Sequence, residues 1–174
     1  MRLVRTVFAD QTEQEGRTRT LAQQELEFVL PRERSTNTIL CLPVLHADEV
    51  LIGLETRHLP VPQMHEGDAR ILTAPAWRLD RQVETLSQAK SVLAESFGVP
   101  AGAITPLGAA YFPSAGITPE RAYPFVIQLT DTAAAGASYD YVPLTQVKRN
   151  LHRLRDGHLL IAAMRLIHAL GLWG

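Results

Sequence analysis

The run Asn37–Leu45, "NTILCLPVL", is apolar without interruption from Ile39 onward. A strand with one wet face alternates apolar and polar residues, whereas a strand covered on both faces reads as a continuous hydrophobic run. This segment therefore demands a sheet with a packed layer on each side. At 174 residues, 46% of them hydrophobic, the chain can supply both layers within one domain. Cys41 sits in the middle of the run. It is the only cysteine, so it forms no internal disulfide and reads as a small buried hydrophobe.

The neighbouring segments fill in an α/β pattern. "MRLVRTVFAD" alternates as a strand does, and "LEFVLP" is a second short strand ending at Pro31. "HADE" is a turn joining the apolar run to "VLIGLETRHL" in a hairpin. "PVPQMHEGDA" is a loop and "RILTAP" a short strand. A helix follows, with Ser87 as the expected N-cap, Leu86, Ala89, Leu93 and Phe97 on its core face, and Gly98 as its C′ glycine. "AITPLGAAYFPSAG" holds a strand and a turn, "RAYPFVIQLTD" is a strand, and "TAAAGASYD" is a loop. From Thr145 the period becomes helical, with Val147, Leu151 and Leu154 on one face. The last helix is expected to bury Leu160, Met164, Ile167 and Leu170 and to stop at Gly171. Strands early and helices late predict a mixed sheet with helices on its faces.

A formal net charge of −1 and a sequence pI near 6.6 give no general attraction to nucleic acid, so none is expected as a partner. The basic stretch "QVKRNLHRLR" reads as a solvated helix face. No apolar run approaches the roughly 20 residues that span a bilayer. The opening "MRLVRTVFADQ" turns polar too early for a signal peptide, and a cytoplasmic location is the expectation. The six histidines have no compact metal-binding spacing; His65 and Glu66 lack a second histidine, and His158 reads as a helix-start residue.

The stretch "PAWRLDRQVETLSQAKSVLAESFGV", Pro75 to Val99, fits the frame G-x5-E-x7-R-E-U-x-E-E-x-G-U without a gap. Gly98, Val99, Leu93 and Glu95 match. Trp77 stands at the first glycine, Val83 at the first glutamate, Ser91 at the arginine, Val92 and Ser96 at two further glutamates. On this spacing the chain resembles the Nudix family, particularly its ADP-ribose and nucleotide-sugar pyrophosphatase branch. Flanking segments extend the resemblance over residues 37 to 171. "ETRHLPVPQ" and "ILTAPAWRLD" look like the strand and turn preceding the box. Ser114, Gly116 and Glu120 look like the branch's S-P-G-x3-E turn, with Ala115 for proline. "RDGHLLIAAMRLIHALG" looks like its closing helix.

The resemblance implies a single Nudix-like α/β/α sandwich over residues 1–174, with a mixed sheet and a closing C-terminal helix. Residues 1–36 would be an N-terminal strand region able to form a homodimer, and 37–174 the core. In this family the box glutamates hold magnesium against a pyrophosphate. Acids at helix positions i, i+3 and i+4 project from one face and share an ion. Here those positions are Val92, Glu95 and Ser96, leaving Glu95 as the one metal-ligand candidate, and a weak one. Loss of the arginine and the first glutamate together, as Ser91 and Val83, avoids stranding one charge of a pair. If hydrolysis survives, Glu95, Glu120 and Asp140 are the catalytic candidates, with Mg2+ as cofactor. Asp140 or Asp131 would be the loop-borne base, and Glu84 a solvated loop acid. Arg57, Trp77 and Ser114 are the ligand-binding candidates. The reading that follows is a protein that has lost the hydrolase reaction, needs no cofactor, and acts as a regulatory or binding module for a nucleoside-diphosphate-linked small molecule. The alternatives are a weak pyrophosphatase and a purely structural homodimer.

Overall fold

A computed structural model describes residues 2–14, 17–30, 35–59, 62, 64–65, 70–114, 119–130 and 139–173. Strands β1 (Arg2–Gln14) and β2 (Arg17–Leu30) pair with each other as an antiparallel ribbon, interrupted by one register shift between Asp10 and Gln11. The second strand is thus far longer than "LEFVLP".

A seven-stranded mixed sheet forms the rest. Its strands are β3 (Asn37–His46), β4 (Val50–His58), β5 (Arg70–Thr73), β6 (Ala76–Arg78), β7 (Ile104–Pro106), β8 (Arg121–Leu129) and β9 (Asp140–Pro143). The order is β5-β4-β3-β8-β7, with β6 also on β3 and β9 on β4. β3 and β8 run parallel in register from Asn37↔Arg121 to Leu45↔Leu129, and the other pairs are antiparallel. The β3–β4 hairpin turns at "HADE", as the sequence predicts, with His46↔Val50 as the pair next to the turn.

Both faces of β3 are buried, as its unbroken apolar run requires. Leu40, Leu42 and Val44 pack on one side with residues of α2 (Leu144–Arg149) and α3 (Gly157–Ala169). Ile39, Cys41 and Leu45 pack on the other with Ala89 and Leu93 of α1 (Leu86–Phe97). Among the described residues no helix is long and apolar enough to cross a membrane.

Four local expectations need correction. The N-cap of α1 is Thr85, not Ser87: its hydroxyl accepts from Gln88 N while the Gln88 side chain accepts from Thr85 N, a reciprocal capping box. Gly98 ends the helix in the left-handed region at φ 61°, as expected of a C′ glycine. The segment Asp140–Pro143 is a strand, held by pairing with Leu51–Leu54, a long-range contact that four residues do not announce. The helix expected from Thr145 through Leu154 stops at Asn150 and gives way to a 3₁₀ turn, Leu151–Arg153. Of the stripe expected on the last helix, Ile167 is buried and Leu160 is half-buried, but the rest of the buried face differs. Leu159, Ala162, Ala163, Leu166 and Ile167 are buried, whereas Met164 is 42% and Leu170 40% exposed. The alanines let α3 lie close to the sheet, and close packing outweighs side-chain size in choosing the face.

Two measurements check these assignments. Thr85→Ala should destabilise the fold by about 1 kcal/mol and Ser87→Ala by less than about 0.5 kcal/mol in urea unfolding. Cys41 is fully buried, and burial raises its thiol pKa far above the ordinary range. A raised folded pKa stabilises the fold below the unfolded value of about 8.5, and that contribution is lost as pH climbs past it. Between about pH 8.5 and 10, unfolding free energy should drop by up to about 1.4 kcal/mol per pH unit. Cys41→Ala should flatten that slope, and native Cys41 should resist alkylation until the chain is unfolded.

Candidate functional site

The segment from β6 into the following loop faces α1 across a cleft of about 380 Å³. One wall is Trp77 to Arg81; the other is Val92, Glu95 and Ser96. Trp77 pairs with Ile39, and its ring meets that of Phe97 at 5.6 Å between centroids and 39° between planes. An aromatic contact thus stands beside the cleft at the position where the resemblance implies a glycine.

The loop reaches α1 along a fixed path because its backbone is tied to the sheet. Val83 is buried, and its carbonyl accepts from Tyr123 Oη at 3.1 Å and from Asn37 Nδ2. Leu79 N donates to Asn37 O at 2.9 Å. Asn37 and Tyr123 are themselves fully buried on adjacent strands. The position expected to carry a glutamate therefore holds an apolar anchor that works through its main chain.

On α1 the remaining box positions are turned to local uses. Ser96 Oγ donates to Val92 O at 2.8 Å, and Ser91 Oγ to Ser87 O at 3.2 Å, so both hydroxyls bond to their own helix. Val92 packs against the α1-side core. Glu95 Oε2 accepts from Arg81 Nη2 at 3.2 Å across the mouth of the cleft. Magnesium needs several oxygen donors converging on one point. A valine, a back-bonded serine and a glutamate already facing a guanidinium do not supply them. Among the described residues, no group of three or more His, Cys, Asp or Glu side chains is placed to hold a metal ion.

Glu120 lies at the start of β8, beyond Arg78. It accepts from Thr38 Oγ1 at 2.5 Å, pairs with Arg78 at 3.5 Å, and has His158 Nε2 at 4.0 Å. His158 Nδ1 is 2.5 Å from Tyr111 Oη. Burial, with Asp156 and Glu120 adding to it and Arg165 opposing, pushes the Tyr111 phenol above its usual range. The other ring nitrogen of His158, Nε2, is the one that faces Glu120. His158 is indeed at a helix start, where Asp156 caps α3 by accepting from His158 N and Leu159 N.

The other candidates stand apart from the cleft. Arg57 pairs with Glu55 at 2.5 Å and donates to Ala76 O at 3.1 Å, which ties β4 to β6. Asp140, on β9, accepts from Thr56 Oγ1 at 3.1 Å. Ser114 is half-buried at the edge of a turn whose continuation, residues 115–118 with Ala115 and Gly116, lies outside the described residues. Asp131 and Glu66 lie outside them as well. Glu84 is exposed, as a solvated loop acid would be.

The structure therefore gathers Trp77 and Glu95 in one cleft and joins Glu120 to it through Arg78. Sequence reasoning passed over Arg78 and Arg81. The available signal was "WRLDR", two arginines inside the five-residue gap of the box. It also passed over Tyr111 and Thr38, whose roles come from long-range contacts. No family model and no curated protein matches the chain.

Putting the acids back should restore ion binding. Val92→Glu with Ser96→Glu places carboxylates beside Glu95 at i, i+3 and i+4. The double variant should be stabilised by about 1.4 kcal/mol when Mn2+ is raised to ten times its dissociation constant. The parent chain should show no metal-dependent shift in the same thermal unfolding series.

Proposed function

We propose that the chain is a Nudix-like α/β/α protein that does not hydrolyse pyrophosphates and uses the cleft between β6 and α1 to bind a nucleoside-diphosphate-linked small molecule. One observation carries the reading: where a metal cluster would need carboxylates, Val92 is a half-buried aliphatic packed against the core, Ser96 is bonded to its own helix, and Glu95 faces Arg81. Hydrolysis that depends on Lewis-acid metals needs anionic oxygens to seat them, and the three helix positions, Val92, Glu95 and Ser96, carry one carboxylate, already paired. What remains suits recognition. Trp77 offers an aromatic face for a base, and Arg78 and Arg81 offer donors that match phosphate oxygens in pairs. The reading makes the protein a ligand-responsive regulatory or interaction module, working in the cytoplasm without a cofactor.

Homodimerisation belongs to the same proposal. Among the described residues β1 and β2 pair only with each other, and a two-stranded ribbon is marginal alone in water and open to further pairing at its edges. A native mass of twice the chain weight supports this; a monomer at high concentration counts against it.

The activity test is direct. ADP-ribose and several nucleotide sugars, incubated with the protein and Mg2+ or Mn2+, should release no nucleoside monophosphate above the protein-free rate, while at least one of them should raise the melting temperature in the absence of metal. Robust turnover abolished by Glu95→Gln would favour the alternative, a weak pyrophosphatase drawing on Glu95, Glu120 and Asp140.

A further inference from the structure

We infer that Glu95 is an internal counter-ion that occupies Arg81 until an anionic ligand displaces it, so that cleft affinity is set by competition between this carboxylate and ligand phosphate. The inference rests on the cleft being a ligand site, as proposed above, and adds how that site is regulated and what neutralises its ligand.

The geometry is that of a breakable latch. Arg81 projects from the loop after β6 and Glu95 from α1, so their contact bridges the two walls of the cleft. The side chains are 62% and 72% exposed. An exposed ion pair is weak, because water screens it and two long side chains must be held in place. Its 3.2 Å contact uses a single guanidinium nitrogen, whereas a phosphate engages two in parallel. Exchanging Glu95 for a phosphate therefore gives Arg81 a better partner at small cost.

The charges along the walls set the direction of the effect. Arg78 and Arg81 are balanced by Asp80 and Glu95, and Arg78 is further held from behind by Glu120. Removing the charge of Glu95 leaves the lining with one more cation than anion and frees the guanidinium nearest the opening. If Glu95 were instead the last ligand of a metal site, its removal would weaken binding. The two roles predict opposite signs for one substitution.

The test is calorimetric titration of ADP-ribose and of inorganic pyrophosphate in EDTA at low ionic strength, into the full chain and into Glu95→Gln, Arg81→Gln and the double variant. Both positions are exposed, so each variant should fold as the parent does. Glu95→Gln should bind about two- to fivefold more tightly, the range that losing an exposed ion pair allows, with a steeper loss of affinity as salt rises. Arg81→Gln should bind more weakly, and adding Glu95→Gln to it should restore nothing, because Glu95 acts through Arg81. Unchanged or weaker binding by Glu95→Gln, a requirement for Mg2+, or a gain that persists without Arg81 overturns the latch while leaving the cleft a binding site. Absence of binding by the parent chain to either probe, with or without metal, overturns the binding reading and the latch with it.

Discussion

The two-sided burial of β3 is the constraint on which the rest depends. A strand whose successive residues all face apolar cover must have a helix layer on each side and a neighbour on each edge. β8 takes one edge in parallel register, and β4 and β6 share the other, β6 beside the first half of the strand and β4 beside the last. The cleft follows from that division. Because β6 borrows only three residues of β3 before the chain leaves toward α1, the segment from Leu79 to Thr85 must pass from sheet to helix without a strand partner, burying Leu79 and Val83 on the way. It is held there by Asn37 and Tyr123, the buried polar pair that grips the Val83 carbonyl. A main-chain carbonyl buried without a donor would cost about 1–3 kcal/mol, so the polar pair both permits the crossing and fixes its path.

The sequence made the sheet legible because the relevant signals are local. Continuous hydrophobicity marked β3, a four-residue turn marked the hairpin, and helical spacing with Gly98 marked α1. The misses have a common cause. β9 is a strand only because Leu51–Leu54 lies beside it. The buried stripe of α3 is the one containing Ala162 and Ala163 because the sheet beneath rewards close approach. In both cases the deciding partner is distant in the chain. At the α1 N-terminus the error was local: Thr85 and Ser87 are both competent caps, and the reciprocal bond from Gln88 decides between them.

Of the candidate site, the sequence offered the positions and not the partners each side chain would meet. The resemblance implied carboxylates at the positions of Val83, Val92 and Ser96 and an arginine at Ser91, and the groups there are bonded or packed locally: the Val83 carbonyl, the Val92 side chain and the Ser91 and Ser96 hydroxyls. Arg78 and Arg81 could not be weighted from the sequence, since an arginine in a loop is usually just solvated. Their significance lies in which acids they meet, Glu120 for one and Glu95 for the other.

Those two pairs are not equivalent, and the difference orders the cleft. Glu120 is 16% exposed and Arg78 28%, and the carboxylate also holds Thr38 and faces His158. Withdrawing Arg78 would leave a half-buried carboxylate short of a partner, a penalty that grows as water is excluded. Arg81 and Glu95 meet in solvent, where either can turn to water at little cost. On the proposed binding role, a ligand entering this cleft would meet one cation that the fold retains and one that it can release. The retained Arg78 follows Trp77 in β6 and is 28% exposed, whereas the releasable Arg81 is 62% exposed. Under that proposal, an elongated ligand with an aromatic group at one end and phosphates along its length would suit the order, stacking on Trp77 and meeting the fixed cation before the exposed pair exchanges.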